Sequence, residues 1–289
     1  MSVPVQAEHL FSVAGLPVTN SMITAWIALA LFLALAAALR RPAKGAPRGI
    51  RNAVEALVEF MLGFMDQITQ DRAKTRRFFP LVGTLFLFIL VSNWMGLLPG
   101  VGTIGLWAEE QGTRELIPLF RPATSDLNMT LAMGLIAVLV SHVFGLVSIG
   151  FFKHVGKFLQ FGKIFQAVKA FRTKKIGDAA IGVFVAFVEI GVGMIEIISE
   201  LAKVISLSLR LFGNIFAGEV VIHVMMSLFA FVLPLPFIAM ELIVGVVQAL
   251  VFSMLTLVYL TSATSLPHGD EEHAEGHVAP EAQTAPAAA

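Results

Sequence analysis

Five long apolar blocks punctuate the chain: Met22 to Leu39, Phe78 to Leu98, Leu127 to Phe152, about Ala179 to Leu233, and Phe237 to Ser262. Each is bounded by charges, prolines or glycines. The first covers 18 residues, or roughly 27 Å of helix at about 1.5 Å per residue, enough to cross hydrocarbon with little tilt. The pattern predicts an all-α integral membrane protein with about five membrane helices at 22–39, 78–98, 127–152, 179–233 and 237–262. The fourth block contains no proline and no polar loop. As one continuous helix it would be on the order of 80 Å long, more than twice the hydrocarbon thickness, so it must tilt strongly, kink or break. Pro234-Leu235-Pro236 then turns the chain into the last block, making a hairpin of two long tilted helices.

Between the first two blocks, within the connection 40–77, Val54, Leu57, Val58, Met61, Met65 and Ile68 follow helical spacing, with Glu55, Glu59 and Asp66 beside that stripe. An amphipathic helix over 52–70 lying on the membrane is predicted. Its polar face is acidic where lipid-surface helices are usually basic, so a protein neighbour suits it as well as anionic headgroups do.

Composition strengthens the membrane reading, since 57% of residues are apolar and 14% charged. A formal net charge of zero gives no reason to expect a nucleic acid or an acidic substrate. The absence of cysteine excludes disulfides, thiolate metal sites and cysteine nucleophiles. Lysine and arginine cluster at Arg40 to Arg51, at Arg72 to Arg77, and from Lys153 to Lys175. If all three clusters lie in the cytoplasm, the segment 1–21 and the loop 99–126 are outside and the basic loop 153–178 is inside. The C-terminus is then cytoplasmic, with 263–289 a solvated, disordered tail. The first block is read as a retained span rather than a signal peptide, because no lysine or arginine precedes it and Arg40 and Arg41 follow directly.

Ionisable groups inside spans are costly, by about 2.5 to 3.5 kcal/mol each, and usually mark a pathway or a partner. On the fourth block Glu189, Glu196, Glu200, Lys203, Arg210 and Asn214 project within roughly 80° of one another at about 100° per residue, a single polar stripe. Glu219 points roughly 140° away from Asn214, with His223 one turn further along. Its expected neighbour is the returning helix, where Glu241 and Gln248 share a face. The groups sort into an outer set (Glu219, His223, Glu241), a central pair (Arg210, Gln248) and an inner set (Glu189, Glu196, Glu200, Lys203). An arginine cannot give up its proton in a protein, so it suits a barrier between two partial paths rather than a relay. Glu189 and Lys203 read better as ion-pairing residues than as path residues, and His142 as a helix-to-helix hydrogen bond.

The run Ser206-Leu-Ser-Leu-Arg210-Leu-Phe-Gly-Asn214-Ile-Phe-Ala-Gly-Glu219, followed by Gln248-Ala-Leu-Val-Phe and Leu257-Val-Tyr-Leu260, resembles subunit a of the rotary F-type ATP synthase. Pro80 and Asn93-Trp-Met-Gly-Leu-Leu-Pro99 resemble that family's second span. The resemblance implies a proton-conducting stator in the bacterial inner membrane. Its partners would be a ring of c subunits, peripheral-stalk b-type subunits and the other synthase subunits, with no cofactor and no metal. By the family's pattern Arg210 is the essential charge facing the ring. Asn214, Glu219 and Gln248 would line the outer path and Glu196 the inner one; Glu200, His223 and Glu241 are candidates beside them. Many bacterial members carry histidine where this chain has Glu241, and mitochondrial members carry histidine where it has Glu219; here both are acids. Either the pair shares a proton or His223 supplies the missing base. The rival readings are a secondary transporter, which would be expected to show internal repeats, and a redox-linked proton-pumping subunit. The choice between H⁺ and Na⁺ would rest with ligands on the partner ring.

Overall fold

A computed structural model describes residues 4–40, 49–98, 100–102, 104–110, 113–151, 154, 176–229 and 232–265, with backbone only at 108–110, 113–115, 176–183, 185, 186, 189 and 190. Most of the basic cluster at 40–51, nearly all of the basic loop, the tail and the Glu189 side chain lie outside these residues.

Among the described residues there are six long helices: α1 (Asn20–Leu39), α2 (Ile50–Thr69), α3 (Arg72–Met95), α4 (Leu127–Ile149), α5 (Ile176–Leu228) and α6 (Pro234–Thr264). All but α2 contain a stretch long and apolar enough to cross a membrane, so the expected five spans and one amphipathic helix are borne out. Two antiparallel hairpins, β1 (His9–Val13) with β2 (Leu16–Thr19) and β3 (Gly105–Glu110) with β4 (Thr113–Pro118), occupy segments whose apolar pattern gave no sign of strands.

Helix starts are set by polar caps that hydropathy does not register. Thr19 accepts a hydrogen bond from the Met22 amide, so α1 begins at Asn20, before the apolar run itself. Asp71 accepts from the amides of Ala73 and Lys74 and starts α3 at Arg72, a turn and a half upstream of its apolar block. Between them Gln70 takes a left-handed conformation (φ 52°), which ends α2 and turns the chain directly into α3. Met61 and Met65 of α2 are buried, and α2 packs on α3, so part of the amphipathic stripe finds its neighbour within this chain.

The described chain divides into two compact units. The larger, 1–140 with 200–260, has its core in α1, α3, the first half of α4 and the facing parts of α5 and α6, around Phe78, Phe86, Ile89, Leu207, Leu211, Phe252 and Leu257. Close approach of α4 to α5 depends on Gly134, where a Cβ would overlap the Ser208 hydroxyl. In the smaller unit, 141–199 with 261–289, His142 Nδ1 lies 3.3 Å from Nε2 of His154, giving the span histidine a hydrogen-bonding neighbour just beyond α4.

α5 runs without interruption through 53 residues. Of the three alternatives open to an over-long block, a break is therefore not the one adopted.

Candidate functional site

Near its middle α5 presents a strip that nothing in the described chain covers. Ser206, Leu209, Arg210, Gly213, Asn214 and Ala217 are all exposed, and a Cβ placed on Gly213 would meet no atom within 4 Å. Ser206, Arg210, Gly213 and Ala217 fall within about 60° of one another around the helix, so the arginine stands among small side chains on a smooth surface. Among the described residues Arg210 has no hydrogen-bond or ion-pair partner. An apolar helix thus carries a permanent charge that no described residue compensates.

One turn on from Arg210, the Asn214 side-chain amide donates to Gln248 Oε1 of α6 at 2.6 Å. Gln248 is 3% exposed and its own Nε2 has no acceptor among the described residues. The hydrogen bond of Gln248 goes to Asn214, whereas the sequence had grouped it with Arg210.

Gly218 and Glu219, neighbours in sequence, face different partners. Against Gly218 lies the Glu241 carboxyl of α6, so close that a Cβ there would overlap it; Glu241 is 5% exposed and its Oε1 has no hydrogen-bond donor among the described residues. Only glycine leaves that space. Glu219, half-buried, turns instead to Arg121, whose Nε is 3.3 Å from both carboxylate oxygens. The returning helix supplies Glu241 to Gly218 but not the charge partner of Glu219. That partner comes from the loop before α4. His223, one turn along α5, is half-buried.

The loop is locked by a polar lattice. Arg121 is 3% exposed; its Nε also donates to Ser125 Oγ at 3.0 Å, one terminal nitrogen donates to the Gln6 carbonyl at 3.0 Å, and its amide donates to Thr24 Oγ1 of α1. Its guanidinium stands 5.9 Å from the centre of the Phe216 ring. The Thr124 hydroxyl donates to Asn93 Oδ1 at 2.6 Å, and Asn93 Nδ2 donates to the Gly245 carbonyl of α6 at 3.0 Å. Ser21 of α1 donates to buried Asp126, which also accepts from the Asn128 amide at the start of α4. Pro122 packs on Gly96, where a Cβ would collide with its ring. α1, α3 and α5 are therefore fixed directly to residues 121–126, and α6 is joined to them through Asn93 of α3.

Of the inner carboxylates, Glu200 pairs with Lys203 at 2.5 Å, and Lys203 also stands 5.4 Å from the centre of the Tyr259 ring on α6. Glu196 lies one turn before Glu200 on α5 and is half-buried. Arg121, Asn93 and Thr124 are the site residues that sequence reasoning passed over. The signal for Arg121 and Thr124 was an arginine followed closely by Thr124-Ser125-Asp126 directly before an apolar block, polar groups too numerous for a simple turn; Asn93 stood only within the run that resembles the second span.

The described residues contain no group of three or more histidines and carboxylates arranged to hold a metal ion. The arrangement sets acids and an amide pair, groups able to exchange or hydrogen-bond protons, along the α5 and α6 faces beside a cation that cannot itself relay.

A family model described as ATP synthase A chain matches residues 22–261. The chain is 30% identical over 262 residues to ATP synthase subunit a of Trichlorobacter lovleyi, covering 90% of this chain and 94% of that protein. It is 28% identical over 258 residues to ATP synthase subunit a of Moorella thermoacetica, covering 89% and 96%. It is 32% identical over 248 residues to ATP synthase subunit a 1 of Syntrophotalea carbinolica, covering 84% and 85%.

Proposed function

The chain belongs to the ATP synthase A chain family, and from that premise we propose that it is the proton-conducting stator of a rotary ATP synthase, with Arg210 dividing two half-channels. It is an integral membrane subunit that works with other ATP synthase subunits in a bacterial inner membrane. In this reading the uncovered strip of α5 meets a ring of c subunits, each with one membrane carboxylate, and b-type subunits brace the assembly from the side. The N-terminus is outside and the C-terminus cytoplasmic, as the basic clusters suggest.

The observation that carries the reading is Arg210 itself: exposed, unpaired among the described residues, and flanked by Ser206, Gly213 and Ala217. A charge costing about 2.5 to 3.5 kcal/mol at the centre of a span calls for a partner anion, and the small neighbours allow another helix to come close enough to bring one. As each ring carboxylate passes, the guanidinium favours its ionised form and so promotes release of its proton. Because the guanidinium does not deprotonate, protons cannot cross from one path to the other without riding the ring. The outer path runs by Glu219, His223, Glu241, Asn214 and Gln248. The inner one runs by Glu196 and Glu200, with Lys203 holding Glu200 in place.

The test is Arg210→Ala in the whole complex. Proton-driven ATP synthesis should fall to background while the amount of the chain in the membrane, read by immunoblot, stays unchanged. Synthesis retained at a substantial fraction of the unaltered rate would reject the proposal.

A further inference from the structure

Glu219 has one ion-pair partner among the described residues, and it is a buried arginine from a loop. The two ends of that pair are held unequally. Arg121 is fixed by groups that lie off the proposed path: its guanidinium by the Gln6 carbonyl, the Ser125 hydroxyl and the Phe216 ring, its backbone by Thr24 of α1. The loop carrying it is pinned in turn through Thr124 to Asn93 and through Asp126 to Ser21. Removing Glu219 would leave this scaffold standing. Removing Arg121 would leave the Glu219 carboxylate without its counter-charge and free to change rotamer.

From this asymmetry we propose that Arg121 is the positioning residue of the outer path: it holds the Glu219 carboxylate in the orientation that exchanges protons, and it keeps that group apart from Glu241. The proposal rests on the reading that Glu219 lies on the path. It also gives the two acids separate roles in place of one shared proton. Glu219 is the anchored group, with both oxygens 3.3 Å from a fixed guanidinium nitrogen. Glu241, packed on Gly218 with one oxygen that no described residue bonds, is the group with a site open to accept or pass a proton. A buried charge needs a fixed partner to stay where it is, and a loop bonded to α1 and α3 is a firmer base for that partner than a neighbouring mobile side chain.

A double-mutant cycle in the assembled complex tests this, with passive proton conduction through vesicles stripped of the catalytic head as the readout. Arg121→Gln should lower conduction by about tenfold or more, the size expected when one charge-assisted hydrogen bond is lost. Arg121→Lys, which keeps the charge, should recover a clear part of it. In the Glu219→Gln background, Arg121→Gln should cause little additional loss, because its effect passes through that carboxylate. Equal fold-losses in the two backgrounds would assign Arg121 to scaffolding alone and overturn the proposal, as would unimpaired conduction by Arg121→Gln when Glu219→Gln is impaired. Unimpaired conduction by Glu219→Gln would remove the path reading beneath it as well. Conduction is normalised throughout to the amount of chain in the membrane, read by immunoblot, so that a loss of assembly is separated from a loss of conduction.

Discussion

Adding a single methyl group at Gly218 sets a gain in helix stability against a displaced carboxyl, and the two can be weighed. Glycine inside a helix is less favourable than alanine by about 1 kcal/mol, so Gly218→Ala should stabilise α5 by up to that amount. The new Cβ overlaps the Glu241 carboxyl, which must retreat by roughly 1 to 2 Å to reach ordinary van der Waals separation. The carboxyl is the far end of a flexible side chain, and moving it about 30° off its rotamer costs about 0.5 to 1.5 kcal/mol. The two effects nearly cancel, and the amount of assembled chain should stay close to that of the unaltered protein. Function should not survive so well, since a misplacement of about 1 Å in a reacting group can cost on the order of 100-fold in rate. Gly218→Val should cost a further 1 to 3 kcal/mol or so from overpacking and should nearly abolish activity. Glu241→Asp draws the carboxyl back by one methylene, so combining it with Gly218→Ala should restore part of the loss. The assay is the initial rate of proton-driven ATP synthesis in membrane vesicles, normalised to the chain present by immunoblot. Gly218→Val with an undiminished rate and a normal amount would refute the claim that Glu241 must occupy that groove.

Two further outcomes follow from the polar groups around the helices. Asn93→Ala removes both the acceptor for Thr124 and the donor to the Gly245 carbonyl; leaving buried groups unpaired should destabilise the chain by about 2 to 4 kcal/mol, seen as faster proteolysis of the loop before α4 in intact membranes. The Thr75 hydroxyl and the Arg72 guanidinium hold the Asp66 carboxyl below its ordinary value, burial acting the other way. A depressed value contributes stability above the unfolded-state value and loses it as the pH falls toward the folded one. Asp66→Asn should therefore loosen the α2 to α3 turn at neutral pH, measured by hydrogen exchange of its amides, and the difference from the unaltered chain should fade as the pH is lowered through the usual carboxylate range near about 4.

Apolar block lengths carried most of the architecture, because a span is dictated by hydrocarbon thickness and little else. Helix ends were less legible: Thr19 and Asp71 act through one hydrogen-bonding side chain each, which a hydropathy window averages away. The hairpins escaped notice because Leu16-Pro17-Val18-Thr19 and Thr113 to Pro118 are short and flanked by polar residues. For the site, angular projection separated Glu219 from Asn214, and the structure sends them to different partners. Projection can say which way a side chain leaves a helix but not what waits there. Arg121 lies 98 residues from Glu219 in sequence, and no periodicity links a loop to a helix at that distance.

The Asn93 to Gly245 hydrogen bond joins residues 152 apart, and this bears on the order in which the molecule is made. A chain growing from its N-terminus has α1 to α4 and the loop before α4 complete well before Glu241, Gly245 and Gln248 exist. Until α6 arrives, Asn93 has no carbonyl to hold, Asn214 has no glutamine to bond, and the groove beside Gly218 stands empty. The last-made helix thus closes the proposed conduit, and a truncated or stalled product lacks the parts through which an uncoupled membrane could discharge.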